Sequence, residues 1–186
     1  MAVFLDRDGV IVAQQDYLNR PEDLELLPGA AEAIARLNRA GIPAIVVTNQ
    51  AGIAKGHLTL ETLQAIHARL VAELADRGAH LDEIYFCPHH PQATVVEFLR
   101  DCPCRKPGTG MLERARDEHK IDLSASYLIG DATGDILAGA RAGCRTILVE
   151  TGFGGDDERY DVTPDLVLPD LPAAVEHIFA EIGGVQ

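Results

Sequence analysis

Asp6 and Asp8 stand one residue apart directly after the apolar run Val3-Phe4-Leu5, and Gly9 follows at once. Two carboxylates this close repel each other unless something cationic sits between them, and a hard cation such as Mg²⁺ takes oxygen ligands. The same Asp-x-Asp-Gly run also suits a turn that merely closes a strand. Other stretches bear on the choice. Thr48-Asn49-Gln50 follows the apolar run Ala44-Ile45-Val46-Val47, Asp131 follows Tyr127-Leu128-Ile129-Gly130 with Asp135 one helical turn further on, and Arg105-Lys106 precedes a helical stretch. Acids alone would suggest a bare cation site, whereas acids with a hydroxyl, an amide and a lysine suggest a metal and a phosphate held together. Singly, Asp131 could be a helix N-cap, Lys106 a surface charge and Thr48 a strand-end hydroxyl. Their coincidence at strand ends favours the chemical reading.

Cys87-x-His89 and Cys102-x-Cys104 supply three thiols and one imidazole. Such a set suits tetrahedral Zn²⁺ with no open position, a structural site. The one-residue spacing is tighter than that of most zinc fingers, so buried free cysteines beside a loop histidine are the alternative, and His90 competes with His89 as ligand. Cys144, between a helix end and an apolar strand, reads as a small core residue.

The elements that must position these groups follow from periodicity and punctuation. Apolar runs predict buried strands at the first aspartates, at 44–47, 84–86, 127–129 and 146–149, with a weaker one at 165–168. Helical spacing and caps predict helices from Pro28-Gly29 to about Ala40, from Thr59 to about Arg77, over 109–119, over 134–142 and from about Leu171. Residues 12–28, with Gln14, Gln15, Asp16 and Tyr17, read as a loop or short hairpin over the site. A glycine-containing loop is expected at 51–56, and a long irregular loop at 87–108, of the kind that is functional or metal-stapled. The β/α alternation implies an α/β fold: a Rossmann-like three-layer sandwich with a mostly parallel sheet and helices on both faces. Ligand sites in such sheets lie beyond the carboxyl ends of the strands, where the polar residues fall.

With 186 residues, 47% hydrophobic and 24% charged, the chain is expected to form a single domain, 1–186, with an ordinary core. A net charge of −13 argues against a nucleic-acid or membrane partner and requires any phosphate site to be built from local cations. No apolar run approaches membrane-spanning length, and the chain enters its first strand without room for a signal sequence, so a cytoplasmic protein is expected. No exposed apolar stripe calls for a partner subunit, and a monomer is expected.

The order D-x-D-G, T-N, K-P and G-D-x-x-x-D resembles the haloacid dehalogenase superfamily of aspartate-nucleophile phosphatases, from residue 3 to about 152. Phe4-Leu-Asp-Arg-Asp-Gly9, Thr48-Asn-Gln50, Cys87-Pro-His89 and Cys102-Pro-Cys-Arg-Lys-Pro107 resemble the branch of D-glycero-D-manno-heptose 1,7-bisphosphate 7-phosphatases and histidinol-phosphate phosphatases. The resemblance implies that Asp6 is the nucleophile and that Asp8 is the proton donor and acceptor. It also implies that Asp6, the Asp8 backbone carbonyl and Asp131 hold Mg²⁺. Thr48, the Asn49 backbone N–H and Lys106 would then neutralise the phosphoryl oxygens, and Asp135 would orient Lys106 or a metal-bound water. It selects Cys87, His89, Cys102 and Cys104 as the zinc set.

Between the motifs there is no room for a separate cap domain, so a large polar substrate is admissible and loops would set specificity. Gln14, Tyr17, Gln50 and Arg105 are candidate substrate contacts. Arg105 suits a second phosphate, which favours a sugar bisphosphate and, with the Cys87-Pro-His-His-Pro-Gln92 run, the heptose enzymes. Two positions depart from that pattern: Ala51 where those enzymes commonly have Ser, and Ala132 where many have Lys. Residues 153–164 form an acidic loop without an assigned role. A non-catalytic module that binds metal or a phospho-ligand is the alternative of a different class, and it would need no nucleophile beside a proton donor.

Overall fold

The computed structural model describes residues 1–183. Three-residue β1 (Val3–Leu5) is fully buried on both faces. Its alternation sends Val3 and Leu5 into one core and Phe4 into the other, as the two-residue period of a strand requires. β2 (Ala44–Asn49) and β4 (Tyr127–Gly130) flank it in parallel, with Leu5 level with Val46 on one side and Ile129 on the other. β3 (Glu83–Cys87), β5 (Arg145–Val149) and β6 (Leu166–Leu168) complete a wholly parallel sheet in the order β3-β2-β1-β4-β5-β6. The winding reverses between β1 and β4, which makes their carboxyl ends the expected ligand crevice.

Helices α1 (Ala30–Arg39), α3 (Leu60–Ala75) and α6 (Leu171–Gly183) bury their apolar faces on one side of the sheet. Helices α4 (Gly110–His119) and α5 (Thr133–Ala142) cover the other side. The expected caps are present where they matter. The Thr59 hydroxyl accepts from the Thr62 N–H at 3.1 Å to start α3, and Gly143 ends α5 in the left-handed conformation.

The sequence reading differs from the structure in one connection and agrees in two. Residues 51–56 contain a short helix, α2 (Ala51–Ala54), where a loop is expected, because four residues are too few to show a helical period. The 12–28 segment is a hairpin: Val12 pairs antiparallel with Leu26, and Ala13 N–H donates to Glu25 C=O at 2.9 Å. A 3₁₀ turn, Pro21–Asp23, closes it. The 87–108 segment is irregular apart from a 3₁₀ turn at Val96–Phe98. Among the described residues no helix is long and apolar enough to cross a membrane.

Candidate active site

The carboxyl ends of β1, β4 and α5's first turn bring Asp6, Asp131 and Asp135 together, with one oxygen from each lying within 4.8 Å of the others. Lys106 reaches this group from the loop before α4. Its ammonium lies 2.6 Å from Asp135 Oδ1 and 3.1 Å from Asp6 Oδ1, and it donates to the Val47 carbonyl at 2.7 Å. Burial alone would depress the lysine, but the charges of Asp135 and Asp6 outweigh it and hold the ammonium protonated. One ammonium faces three carboxylates. Burial, then the charges of Asp6 and Asp135, lift Asp131 above the ordinary carboxylate range. An oxygen-only donor set with surplus buried negative charge is what a hard divalent cation matches.

The two oxygens of Asp6 are in different situations. Oδ1 accepts from the Arg7 backbone N–H at 2.7 Å and faces Lys106. Oδ2 accepts no hydrogen bond among the described residues, and the side chain is 14% exposed, on the cavity side. Asp131 is not a helix cap. Its Oδ2 accepts from the Phe153 N–H at 2.8 Å, while Asp135 Oδ2 accepts from the Ala132 N–H at 3.2 Å and so closes the start of α5. Gly9 and Gly152 press on Asp131 from two sides, and a Cβ on either would fall 2.2 Å or 2.1 Å from Oδ2.

Asp8 lies apart from that carboxylate group. Both its oxygens accept from Arg7 Nη2 at 2.9 Å, Oδ1 also accepts from Arg7 Nε at 3.1 Å, and Oδ2 accepts from Gln50 Nε2 at 3.1 Å. No donor among the described residues reaches the Asp8 backbone carbonyl. Arg7 is the largest fully buried side chain. It also donates to Gln50 Oε1 at 3.2 Å and meets His67 Nε2 at 3.3 Å. Gln50 in turn donates to Thr48 Oγ1 at 2.9 Å, so Thr48, Gln50, Asp8 and Arg7 form one network. Arg7 and His67 escape sequence reading: Arg7 stands between the aspartates, and His67 contributes only after α3 folds back on the sheet.

Asn49 and Lys106 are tied across 57 residues by a reciprocal pair: Asn49 Nδ2 donates to the Lys106 carbonyl and the Lys106 N–H donates to Asn49 Oδ1, both at 3.0 Å. Directly before Lys106, Cys87, His89, Cys102 and Cys104 converge with their ligand atoms within 4.8 Å. Sγ of Cys104 lies 2.8 Å from Cys87, 2.7 Å from Cys102 and 3.7 Å from His89 Nδ1. His89, rather than His90, is the imidazole in this set. Contact with Cys87 and burial push the Cys104 thiol far up, because neighbouring thiols cannot all ionise without a cation between them. The cluster could hold a metal ion. Cys144 is buried in the core under α5, apart from it.

A cavity of about 250 Å³ opens over these groups. Gln14 and Tyr17 of the hairpin, Gln50 and Arg105 all line it, as do His90, Lys55, Phe153, Arg159 and Tyr160, which were not among the candidate substrate contacts. The Tyr17 hydroxyl accepts from Lys55 Nζ at 3.1 Å.

Comparison with known proteins gives a consistent result. The model of the haloacid dehalogenase-like hydrolases matches residues 3–73, and that of the HAD-hydrolase-like proteins matches 103–174. The D-glycero-D-manno-heptose-1,7-bisphosphate 7-phosphatase of Thermosynechococcus vestitus is 44% identical over 185 residues, which is 95% of this chain and 94% of the relative. The D-glycero-beta-D-manno-heptose-1,7-bisphosphate 7-phosphatase of Salmonella typhi is 41% identical, over 94% and 95%. The crystal structure of D,D-heptose 1,7-bisphosphate phosphatase from B. bronchiseptica, complexed with magnesium and phosphate, superposes with a TM-score of 0.87 at 36% identity, covering 97% of this chain and 99% of that one. The corresponding Burkholderia thailandensis structure gives 0.72 at 31% identity, covering 96% and 98%.

Proposed function

This chain belongs to the haloacid dehalogenase-like hydrolases and is a phosphatase acting on phosphoric monoesters, and we propose that it removes the 7-phosphate of D-glycero-D-manno-heptose 1,7-bisphosphate. The observation that supports the reaction best is the division of labour within Asp6. One oxygen is fixed by a backbone N–H and a lysine, while the other accepts no hydrogen bond among the described residues and lies on the cavity side. A carboxylate so held can present that second oxygen in line with phosphorus.

In the proposed sequence Asp6 Oδ2 forms a bond to phosphorus as the bond to the C7 oxygen breaks. Asp8 gives its proton to the departing alkoxide. It then takes a proton from the water that cleaves the aspartyl-phosphate, which restores Asp6 and releases inorganic phosphate. Thr48, the Asn49 N–H and Lys106 would counter the charge spread over the equatorial oxygens. Asp6, Asp131 and the Asp8 carbonyl would hold Mg²⁺, which when bound screens the phosphate charge. Asp135 acts through Lys106, holding it against Asp6. The Cys₃His cluster is proposed to hold Zn²⁺, fixing the loop that presents Arg105 and Lys106. The protein is proposed to work as a single-domain cytoplasmic monomer.

The test is a comparison of kcat/KM for heptose 1,7-bisphosphate and histidinol phosphate, with Asp6→Asn as control. Histidinol phosphate is the informative competitor because Gly130-Asp-Ala-Thr-Gly-Asp135 leans toward that branch at Ala132. A clear preference for the heptose ester is expected, and an equal or reversed preference overturns the substrate assignment.

A further inference from the structure

Lys55, Arg105 and Arg159 come from three separate segments (the end of α2, the cysteine loop and the acidic loop after β5), and all three line the same cavity. Among the described residues none of them pairs with a carboxylate. Of the 16 Lys and Arg residues, seven lack such a partner among the described residues, and of those seven only these three line the cavity. All three face one cavity of about 250 Å³, so an anion bound there meets their combined charge. Like charges gathered without partners repel, and an anion entering between them relieves the repulsion.

Arg159 is exposed, but the backbone around it is fixed. The Asp157 carboxylate accepts from the Thr133 N–H at 2.7 Å and from its hydroxyl at 2.9 Å, the Gly155 N–H donates to the Asp131 carbonyl at 2.8 Å, and the Tyr160 N–H donates to the Thr133 hydroxyl at 3.3 Å. The loop is therefore tied to the strand end that carries Asp131 and to the start of α5. It brings a guanidinium to the side of the mouth where Ala132 contributes no charge.

We propose that Arg159 is a specificity-determining residue which, with Lys55 and Arg105, completes a subsite for the second, non-reacting phosphate of the substrate. This rests on the bisphosphate reading given above. It assigns the 153–164 loop a role: Asp157 anchors the loop, and its one arginine binds. A guanidinium suits the task because its planar fork meets phosphate oxygens in pairs.

The test compares wild type, Arg159→Gln and Arg159→Lys on heptose 1,7-bisphosphate and heptose 7-phosphate, reading the ratio of the two kcat/KM values. Arg159→Gln is expected to lower that ratio by roughly tenfold, the loss of one charge-assisted contact, chiefly through KM for the bisphosphate, with Arg159→Lys in between. A ratio identical to wild type overturns the proposal, and so does an equal fall on both esters. If wild type turns over neither heptose ester, the substrate reading itself fails. The subsite is then read from inhibition of aryl phosphate hydrolysis by the same two compounds. There, a bisphosphate advantage that Arg159→Gln reduces supports the proposal, and its absence or persistence overturns it.

Discussion

The ammonium of Lys106 lies 2.6 Å from Oδ1 of Asp135, and each side chain is only 3% exposed. A buried ion pair contributes little net stability when intact, but losing one partner strands the other charge in a low dielectric. Asp135→Asn is therefore expected to cost about 3–5 kcal/mol in chemical denaturation. It also leaves Lys106 to lean on Asp6 alone and blunts the nucleophile, so kcat falls in the fraction that remains folded. A change below about 1 kcal/mol would show that the pair is not buried in solution.

Asp6→Asn separates chemistry from stability. Asn keeps an oxygen that can accept from the Arg7 N–H and from Lys106, while removing one of the three carboxylates that lie within 4.8 Å of one another. Turnover should fall to background. In metal-free protein the melting temperature should rise rather than fall, because a buried repulsion is relieved. Calorimetry in the presence of a chelator reads the sign.

Gly152 has φ +65°, and a Cβ there would meet Asp131 Oδ2 at 2.1 Å. Gly152→Ala thus adds backbone strain to a clash with a carboxylate that the metal site needs. A loss of roughly 1–3 kcal/mol is expected, with a larger fractional loss of Mg²⁺ affinity. Calorimetric Mg²⁺ titration checks the second part. An equal loss of affinity in a variant at Gly41, where no atom lies within 4 Å of an added Cβ, would sink the local explanation.

The Cys₃His cluster predicts one tightly held metal ion per chain, distinct from the exchangeable Mg²⁺. Elemental analysis after dialysis should find zinc near stoichiometric, and Cys104→Ser should abolish it. The same variant should destabilise the protein and raise KM, since the loop carrying Arg105 and Lys106 loses its staple. Retention of zinc in Cys104→Ser would remove Cys104 from the ligand set.

The parts of this molecule that were legible in the sequence are those written in short local runs. The three central strands, the polar residues at their ends and the helix caps at Thr59 and Gly143 need no long-range information. The parallel sheet follows from β/α alternation, and with it the meeting of Asp6, Asp131 and Lys106 at one edge, whereas the strand order β3-β2-β1-β4-β5-β6 depends on which strands pair and is not written in any local run. What local pattern could not carry depends on distant neighbours. Arg7 looked like a spacer, yet its partners Gln50 and His67 lie 43 and 60 residues away. Asp131 offered itself as an N-cap, whereas Asp135 does that work and Asp131 is held by the Phe153 N–H across 22 residues. The 153–164 loop has no periodicity at all, because hydrogen bonds to Asp131 and Thr133 shape it rather than a buried face.

His67 gives the stability of this fold a specific acid dependence. Arg7 Nη1 lies 3.3 Å from its Nε2, and a guanidinium can only donate, so Nε2 accepts and the ring is neutral. Burial, and then the Arg7 charge, depress His67 to about 3. In the unfolded chain it titrates near ~6.5. Above that value neither state binds the proton, and the full stability is present. As pH falls from about 6.5 toward 3, the unfolded chain takes up a proton that the native state refuses, so stability is lost at up to about 1.4 kcal/mol per pH unit. His67→Gln keeps a polar acceptor near Arg7 but cannot titrate. Between pH 7.5 and 5.0 the wild-type protein should therefore lose up to about 2 kcal/mol more than the variant, measured by denaturant unfolding at each pH. Parallel pH slopes in the two proteins would mean that His67 protonates as easily in the fold as out of it, and the Arg7–His67 contact would have to be given up.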